Sequence, residues 1–396
     1  MKKIGFVIPW FAEKIPGGAE MELRGLTEHL HKANIEVEIL TTCVKEFSAD
    51  WNVNYYKVGI EIINGILVRR FKVRKRNAET FHKVNAKLMN GEKISLEDED
   101  IFLHEMVNSI DLYEYMFKCK DDYSLFVFIP YMFGTTYYGC QVCPEKSVLI
   151  PCLHDESYAY MQRFREVYSK IGGMIFHAKP EENLAKRILN LNNVKVSTLG
   201  EGINTKLLYN ANRFIDKYKI TEPFILYAGR KDKGKNVDIL IKYFIEYKTR
   251  FSNGLKLVLI GGGDIELPRH IKNDIYDLGF LPLQDKYDSY AAATVLCQPS
   301  KNESFSLVIM ESWLCGRPVL VNGECEVTKH FATISNGGLY FNNYFEFQEC
   351  INYILSNYDV AKAMGENGCK FVESNFSWDV IVERYMEFFK GVIGNE

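Results

Sequence analysis

The chain has 396 residues, of which 47% are hydrophobic and 25% are charged, and its formal net charge is −3 at pH 7. This length exceeds what one hydrophobic core usually organises, so we expect two domains, and the ordinary composition excludes a largely disordered chain. The slight excess of acidic residues provides no global basic field for phosphate backbones, so we expect no nucleic-acid partner.

No stretch of the sequence approaches the roughly eighteen apolar residues of a membrane span, and the apolar part of MKKIGFVIPWF is too short for a signal peptide. Ten cysteines are scattered along the chain. We therefore expect reduced cysteines in a cytoplasmic protein. Cys140 and Cys143 form an isolated C-x-x-C without a second pair, which is weak support for zinc, so we predict no metal site.

Apolar runs typical of strands alternate with amphipathic stretches typical of helices in the first half of the chain. We predict strands at 3–9, 36–42, 125–130, 147–153, 172–178 and 194–198, and helices near 20–33, 103–118, 157–169 and 180–190. The region 43–110 is less regular. Residues 60–73 are typical of a hairpin that turns at Asn64-Gly65, and residues 90–100 are typical of an exposed loop.

A polar stretch at about 204–222 precedes a second series of the same kind. There we predict strands at 224–230, 255–263, 276–281, 294–300, 318–321 and 337–341, helices at 236–251 and 304–315, and three closing helical stretches. Short buried strands that alternate with helices indicate parallel sheets with helices on both faces. The pattern therefore predicts an α/β protein with two doubly wound, Rossmann-like domains.

Residues that directly follow a strand are the candidates for a site, because ligands of doubly wound sheets bind beyond the carboxyl ends of the strands. Gly17 and Gly18 stand just before a predicted helix, where a phosphate can approach backbone N–H groups. Gly262 lies in a second glycine-rich segment, IGGGDIE. Neither segment has a P-loop lysine or the G-x-G-x-x-G spacing, which disfavours an NAD-dependent dehydrogenase.

Two cations follow the first predicted strand of the second half, in the segment YAGRKDKGKN. Arg230 offers a planar guanidinium and Lys235 a point charge, a combination that suits a diphosphate. A basic, solvent-exposed loop is the alternative interpretation, and we expect Lys231 and Lys233 to be solvated residues of that loop.

Two glutamates, Glu303 and Glu311, lie within the mostly apolar run NESFSLVIMES. The predicted helix begins near Ser304–Ser306, so Glu303 falls in the loop before it, and the amides of Ser304, Phe305 and Ser306 can donate to phosphate or sugar oxygens. Glu311 lies two turns into the helix among apolar residues, where a carboxylate needs hydrogen-bond donors. We expect ribose hydroxyls to be those donors, with two unrelated surface acids as the alternative.

Taken together, these segments resemble the retaining glycosyltransferases of family GT4. The resemblance rests on Arg230 with a lysine five positions later, on ESFSLVIMESWLCGRPVL (303–320), on PGGAE (16–20), on LHDESYAY (153–160) and on the closing SNFSWDVIVERYMEF (374–388). It covers most of the chain, is strongest over 224–325 and is weak across 43–125. Two positions depart from the pattern: Asn236 stands where glycine is usual, and Asn204 stands where aspartate is frequent.

The resemblance implies a GT-B fold, in which two Rossmann-like domains face a central cleft. It places an acceptor-side domain at 1–205, a nucleotide-sugar domain at 206–375, and a C-terminal helix at 376–396 that crosses back to the first domain. It also implies a role for each site residue. Arg230 and Lys235 bind the diphosphate, Glu303 and the amides of Ser304, Phe305 and Ser306 hold the sugar, and His154 contacts the transferred sugar. Glu311 binds ribose, Gly279, Phe280 and Leu281 lie along the base, and Gly17, Gly18 and Gly262 border the donor. Asp155 would orient His154, touch the acceptor or act as a structural cap.

The implied activity is metal-independent sugar transfer with retention of configuration, from a UDP- or GDP-linked donor to a glycan or lipid-linked saccharide, in surface polysaccharide or glycolipid synthesis. No cofactor is expected beyond this donor substrate. A GT-B-type sugar-nucleotide epimerase and a non-catalytic nucleotide-sugar-binding subunit are the alternatives. An epimerase would turn over without an acceptor.

The basic run VRRFKVRKR (68–76) has two interpretations. It could contact acceptor phosphates or the inner face of the cell membrane, which would make the protein peripheral there. We favour the simpler interpretation, a charged strand face with its apolar residues turned inward. His177 is likewise expected to be a satisfied histidine at the end of a strand rather than a catalyst.

Overall fold

The structure is a computed structural model that describes residues 2–15, 17–268 and 271–394. Internal contacts divide the chain into two compact units, each with its own hydrophobic core. The first unit runs from the N-terminus to Gly202 and resumes at Trp378, and the second comprises Ile203–Ser377. The sequence-based boundaries after 205 and 375 differ from this division by three and two residues (205 against 202, and 375 against 377).

The first unit is built around one sheet of eight strands. Its strands are β1 (Lys3–Ile8), β2 (Val37–Thr42), β3 (Gly59–Ile63), β4 (Ile66–Phe71), β5 (Tyr123–Phe128), β6 (Ser147–Leu149), β7 (Gly173–Phe176) and β8 (Lys195–Thr198). The strand order is β3-β4-β2-β1-β5-β6-β7-β8, and all neighbours are parallel except β3 and β4. These two form the hairpin predicted around Asn64-Gly65, with Ile63 paired to Ile66.

Helices flank this sheet, and two of the sequence predictions for them are wrong. The helices are α1 (Gly18–Lys32), α2 (Ala78–Met89), α3 (Leu96–Glu105), α4 (Ile110–Cys119), α5 (Gly134–Gly139), α6 (Gln162–Tyr168) and α7 (Lys179–Ile188). The expected loop 90–100 contains the start of α3, because the Ser95 hydroxyl accepts from the Asp98 amide at 3.1 Å and caps the helix. The single helix predicted at 103–118 is two helices, since Ser109 caps α4 in the same way.

The second unit contains a parallel sheet of six strands. They are β9 (Phe224–Ala228), β10 (Lys256–Ile260), β11 (Ile275–Asp277), β12 (Val295–Gln298), β13 (Val319–Asn322) and β14 (Gly338–Phe341), in the order β11-β10-β9-β12-β13-β14. Every residue of β9 is buried, as expected for a strand that is covered on both faces. This order puts the loops that follow β9 and β12 side by side at the carboxyl edge of the sheet.

The helices of the second unit pack around this sheet, and several were not predicted. They are α8 (Ala211–Tyr218), α9 (Val237–Arg250), α10 (Leu283–Ala292), α11 (Leu307–Leu314), α12 (Glu326–Ile334), α13 (Tyr344–Ser356) and α14 (Tyr358–Phe376). The polar stretch 204–222 contains α8, which begins where the Asn210 side chain accepts from the Asn212 amide at 2.9 Å. Helices α10 and α12 were missed, and α10 matters for the site.

The last helix, α15 (Trp378–Ile393), belongs to the first unit. The Trp378 ring stacks on the His29 ring of α1 with centroids 4.1 Å apart. A Cβ atom added to Gly25 of α1 would lie 2.5 Å from Cζ2 of Trp378, and one added to Gly202 would lie 2.1 Å from its Cε3. The helix is therefore held where two glycines leave room for the indole.

We expect Gly25→Ala to destabilise the first unit, by about 1–3 kcal/mol of unfolding free energy, because the added methyl overpacks the Trp378 contact. Alanine alone would stabilise a helix by about 1 kcal/mol over glycine. In a Trp378→Leu background, where the indole is absent, Gly25→Ala should therefore raise the unfolding free energy instead of lowering it. Urea unfolding of the four proteins measures both effects, and a stabilising Gly25→Ala in the presence of Trp378 would contradict the contact.

Candidate functional site

The first candidate group lies at the carboxyl edge of the second unit's sheet, beyond β9 and β12. Nζ of Lys235 donates to Oε1 of Glu303 at 2.6 Å, which joins the two loops. The buried Gln298, the last residue of β12, also donates to that oxygen, at 3.4 Å. Two residues chosen from motifs 68 positions apart are thus in direct contact.

Arg230 stands at the start of the same loop, with its side chain 75% exposed. Its Nε lies 3.5 Å from Oδ2 of Asp232, which is a long ion pair in solvent. An exposed pair of this kind contributes little to stability and does not commit the guanidinium. Arg230 can therefore bind an anionic ligand without breaking a strong ion pair.

Asn236, which stands where glycine is usual, keeps the backbone conformation that glycine would supply. Its φ angle is 54°, in the left-handed region that asparagine tolerates better than most residues. Its side-chain amide donates to the Pro299 carbonyl at 3.3 Å and ties the β9 loop to the β12 loop. The second departure is equally mild, because Oδ1 of Asn204 accepts from the Lys206 amide at 3.0 Å, as an aspartate oxygen also would.

The glycine-rich segment after β10 packs tightly against the β9 loop. Gly261 has a φ of 121°, and a Cβ atom there would lie 2.0 Å from the Gly229 carbonyl oxygen, so only glycine fits. Gly262 faces open space, with no atom within 4 Å of an added Cβ, and its carbonyl accepts from the Lys231 amide at 2.8 Å. Gly262 is therefore accessible for a ligand, as its predicted role requires.

The prediction that Lys231 is a solvated loop residue is wrong. Lys231 is buried, and its Nζ donates to Oδ1 of Asp277 at 2.6 Å. The same carboxylate oxygen accepts from the Gly279 amide at 3.1 Å. Lys231 thus holds the loop after β11 against the loop after β9, a role that its local sequence does not reveal.

The three residues predicted along the base of a nucleotide have very different exposure. Gly279 has a φ of 65°, and its carbonyl accepts from the Gly261 amide at 2.8 Å. The Phe280 side chain is 86% exposed, whereas Leu281 is buried at 8%. An exposed ring on a fixed glycine turn offers a stacking surface, so Phe280 is the member of this group best able to touch a flat ligand.

Glu311 has protein donors, contrary to the expectation that ribose hydroxyls would be its donors. Nζ of Lys286 donates to its Oε1 at 2.8 Å and Oη of Tyr290 to its Oε2 at 2.9 Å, both from α10. Burial and the Glu311 charge hold the pKa of Tyr290 well above its usual value, so that the phenol keeps its proton. An ionised carboxylate has about four acceptor positions, so these two bonds leave room for a ligand hydroxyl.

Lys286 and Tyr290 are the site residues that sequence reasoning missed, because α10 itself was missed. Their spacing of four residues places both on one face of a helix. That signal was present in LQDKYDSYAA, but only the structure shows that this face meets Glu311.

The segment Ser304–Ser306 precedes α11, which begins at Leu307 rather than at 304. Ser306 has a φ of 77°, and its buried Oγ makes no hydrogen bond within the described residues. Phe305 is 2% exposed and packs edge-on against Phe376 with centroids 4.9 Å apart. The Phe305 side chain is therefore core, and only its backbone is suited to ligand contact. The helix N-terminus beside it favours negative charge.

The glycine loop of the first unit is shaped by a buried carboxylate. Gly17 has a φ of 136°, and a Cβ atom there would lie 1.9 Å from Oε2 of Glu20, whereas Gly18 faces open space. The Trp10 indole N–H donates to Glu20, and burial raises the pKa of that carboxyl. Pro16, the first residue of the motif, lies outside the described residues. The loop is thus open on the Gly18 side, where a ligand could approach α1.

His154 follows β6 and is partly exposed, with Nδ1 3.9 Å from Oε1 of Glu156. The neighbouring Asp155 accepts from Oη of Tyr160 at 2.7 Å and from Nη2 of Arg187 at 2.6 Å. Of the three roles considered for Asp155, the structure favours the structural one, because both carboxylate oxygens are engaged by the first unit itself.

His177 is a buried, satisfied histidine at the end of β7, as predicted. Its Nε2 lies 2.6 Å from Oε1 of Glu22, and its backbone N–H donates to Glu181 at 2.7 Å. Burial alone would lower the pKa of His177, but the charge and hydrogen bond of Glu22, together with Glu181, raise it to about 10. The ring is therefore a cation near neutral pH and pairs with Glu22.

The basic run 68–76 is largely satisfied within the first unit, as the favoured interpretation predicted. Arg69 pairs with Glu38 at 2.8 Å and the buried Arg70 pairs with Glu61 at 2.5 Å. Arg74 donates to Oε2 of Glu105 at 3.3 Å. Most of the charge is thus engaged by neighbouring side chains.

Cys140 and Cys143 are both buried and free, and burial raises the pKa of both thiols. This setting favours neutral thiols packed in the core over metal-binding thiolates. Among the helices in the described part of the chain, none combines the length and apolar character needed to cross a bilayer.

Comparison with solved structures shows the fold. Sucrose-phosphate synthase from Thermosynechococcus elongatus superposes with a TM-score of 0.69 at 18% identity, over 99% of both chains. Anabaena Alr3699/HepE in complex with UDP gives a TM-score of 0.71 at 15% identity, over 99% of this chain and 100% of that one. The predicted GT-B fold with two Rossmann-like domains is therefore confirmed.

Sequence comparison shows similarity to glycosyltransferases. An uncharacterized glycosyltransferase of Methanocaldococcus jannaschii, MJ1607, is 26% identical over 43% of this chain and 45% of its own length. The capsular polysaccharide biosynthesis glycosyltransferase CapM of Staphylococcus aureus is 26% identical over 53% of this chain and 60% of its own. The chain spans about half the length of the first curated relatives that it matches. Residues 210–371, which hold Arg230, Lys235, Glu303 and Glu311, match the family model described as glycosyl transferases group 1.

Proposed function

We propose that the chain is a retaining glycosyltransferase that transfers a sugar from a nucleoside-diphosphate sugar, UDP- or GDP-linked, to a glycan or lipid-linked saccharide. The observation that carries this proposal is the Lys235–Glu303 pair at 2.6 Å, beside the exposed Arg230, at the carboxyl edge of a doubly wound sheet. Further support comes from the similarity to CapM, a capsular polysaccharide glycosyltransferase, and from the UDP complex of a protein with the same fold.

The chemistry requires stabilisation of a leaving diphosphate. When the anomeric C–O bond breaks, the sugar acquires oxocarbenium character and the diphosphate acquires negative charge. Arg230 and Lys235 supply the opposing positive charge, and the amides before α11 donate to the phosphate or sugar oxygens. With two cations in place, the proposed reaction does not call for a metal ion.

Glu303 serves as a positioning group in this scheme. Its carboxylate accepts from sugar hydroxyls while Lys235 holds one of its oxygens. The acceptor hydroxyl attacks the anomeric carbon from the face that the diphosphate leaves, its proton passes to a phosphate oxygen, and the products are the glycoside and the nucleoside diphosphate. Attack from that face retains the configuration.

The remaining predicted contacts complete the donor site in the proposal. Glu311 binds a ribose hydroxyl with the acceptor positions that Lys286 and Tyr290 leave open, and Phe280 stacks on the base. By the family resemblance, Gly17 and Gly18 border the phosphates and His154 contacts the transferred sugar. The acceptor belongs to surface polysaccharide or glycolipid synthesis.

Calorimetric titration of UDP, GDP, ADP and NAD, without added metal, tests the donor site. We expect one nucleoside diphosphate to bind, and Glu311→Ala to weaken it by roughly tenfold to a hundredfold, because a charged acceptor to a ribose hydroxyl is lost. Tyr290→Phe is the matched control, since it removes a donor to Glu311 and leaves the carboxylate in place, so its affinity should change less than threefold.

Each other outcome has a defined meaning. Failure of every diphosphate to bind would overturn the proposal, and equal losses in Glu311→Ala and Tyr290→Phe would show that Glu311 acts only through the fold. Turnover of the bound nucleotide-sugar without an acceptor, with inversion at a sugar carbon, would replace the transferase with an epimerase.

A further inference from the structure

The first unit contains a cavity of about 760 Å³ that no residue of the proposed donor site lines. It lies beyond the carboxyl ends of β2, β4 and β5, between the loop 47–52, helix α2 and helix α3. This volume falls in the range of about 300–1,000 Å³ that is typical of small-molecule sites. The cavity therefore has both the size and the position of a ligand site.

Aromatic rings form its inner wall as a continuous series. The Trp51 ring lies 5.6 Å from the Phe81 ring, and Phe81 stacks on Phe102 at 5.3 Å. Phe133 adds a fourth ring, 6.3 Å from Trp51. At the mouth, Phe47 and Met89 are 62% and 72% exposed, which continues the apolar surface into solvent. Exposed apolar side chains at an apolar cavity are typical of a ligand-binding site.

One cation lies inside this aromatic wall without an acid paired to it. The Arg76 guanidinium lies over Trp51 at 4.3 Å and over Phe81 at 4.7 Å. Its buried Nε makes no hydrogen bond, and no carboxylate of the described residues pairs with it within 4.0 Å. Its Nη1 donates only to the Glu105 carbonyl, at 3.2 Å. The guanidinium is partly buried, with Asp50 and Glu105 nearby but beyond ion-pair distance, and it would gain from an anionic ligand.

The two asparagine side chains along the cavity are already engaged within the protein. Oδ1 of Asn52 accepts from the Arg76 amide at 2.7 Å, and its Nδ2 donates to the Arg76 carbonyl at 3.3 Å. Oδ1 of Asn85 accepts from Oη of Tyr158 at 2.8 Å. These two amides are therefore largely taken up by the protein, and the aromatic wall favours an apolar group over a polyhydroxylated sugar.

The cavity wall is connected to the glycine loop at Gly17 through two stacked tryptophans. The Trp51 ring stacks on the Trp10 ring with centroids 5.8 Å apart. The Trp10 indole in turn donates to Glu20, the residue that lies against Gly17. A chain of contacts through Trp51, Trp10 and Glu20 thus joins the cavity wall to the glycine loop within the same unit.

We propose that this cavity binds the apolar end of an anionic acceptor, a hydrocarbon or aromatic group that carries a phosphate or carboxylate, with the negative charge at Arg76. The inference rests on the proposed function in one respect, namely that the ligand is identified as the acceptor. It thereby names the class of substrate that the first unit binds. The binding itself is independent of the donor site.

Octyl phosphate is the first probe, titrated into the full chain and followed by calorimetry and by tryptophan fluorescence, since Trp51 lines the cavity. We expect octyl phosphate to bind at least tenfold more tightly than 1-octanol or inorganic phosphate, because its chain contacts the aromatic rings and its phosphate contacts Arg76. Naphthyl phosphate in a parallel arm distinguishes the two sources of the apolar group, since the tighter of the two phosphates identifies it.

Arg76→Gln should weaken the binding of octyl phosphate at least tenfold and leave the affinity for 1-octanol unchanged. Lys75→Gln is the matched control, because it removes the same charge from the exposed adjacent residue and should change affinity less than twofold. Arg76→Lys, which restores the charge without the planar stacking, should recover part of the loss. The thermal midpoint of each variant reports its fold.

Equal affinity of octyl phosphate for the wild type and a folded Arg76→Gln variant would overturn the proposal, and so would octyl phosphate that binds no better than inorganic phosphate. Nucleoside diphosphate binding is measured on the same samples. If nucleoside diphosphates bind but octyl phosphate does not, this inference is contradicted. If octyl phosphate binds but no nucleoside diphosphate does, the proposed function is contradicted.

Discussion

Replacing Lys235 with methionine should slow the release of nucleoside diphosphate from the preferred donor about a hundred- to a thousandfold. Methionine is an unbranched side chain one heavy atom shorter than lysine, and it removes the charge that lies 2.6 Å from Glu303. The loss of one positioned group that stabilises a developing negative charge costs about 3–4 kcal/mol of activation free energy. The rate is measured at saturating nucleotide-sugar, as UDP or GDP released.

Lys242→Met is the control for this substitution. Lys242 lies on the neighbouring helix α9, is 69% exposed, and is 3.6 Å from Asp238, so its loss removes the same charge without touching the site. We expect its rate to stay within twofold of the wild type. A Lys235→Met protein that keeps its fold and retains more than a fifth of the wild-type rate would remove Lys235 from the proposed mechanism.

The largest effect on stability is expected for His177→Gln, at about 3–5 kcal/mol of unfolding free energy at pH 6. The substitution leaves Glu22 buried and without its cationic partner, and breaking a buried pair from one side carries a cost of this size. The other neighbours of the ring are Glu181, Glu201 and Cys152, and none of these side chains can supply a replacement cation.

This stability should depend on pH in a defined direction. The pKa of His177 is raised from 6.5 to about 10 in the folded protein, so the folded state binds the proton more tightly than the unfolded state does. The stabilisation is therefore fully present below pH 6.5 and is lost as the pH rises towards 10. Urea unfolding of the wild type and the variant at pH 6, 8 and 10 should show a difference that shrinks with pH.

His104→Gln provides the comparison, because its side chain is 56% exposed and lies 3.8 Å from Glu105. Its effect on the unfolding free energy should be small at every pH. A difference between wild type and His177→Gln that stays constant from pH 6 to 10 would mean that His177 is neutral in the folded protein.

Much of the architecture could be predicted from local sequence patterns. Short buried runs such as FILYA, placed between amphipathic stretches, indicated two parallel sheets, and the Asn64-Gly65 pair indicated the hairpin. Helices α3, α8 and α10 were missed or misplaced because their apolar faces are short and their flanking residues, such as Ser95 and Asn210, are common in loops. Such a residue caps a helix only where the next turn of the chain packs against the rest of the unit.

The pattern of strands and helices in the sequence predicted the fold class, and motif chemistry together with the family resemblance singled out Arg230, Lys235, Glu303 and Glu311 as candidates for the proposed donor site. Which charges lie in contact became visible only in the folded structure. In the structure Lys235 pairs with Glu303, and Glu311 accepts hydrogen bonds from Lys286 and Tyr290. Lys231 is buried against Asp277, and Arg76 lies in an aromatic cavity without a paired acid among the described residues. The physical reason is that periodicity records only which face of an element is buried, whereas the partner of a buried charge comes from a distant segment that folding brings beside it.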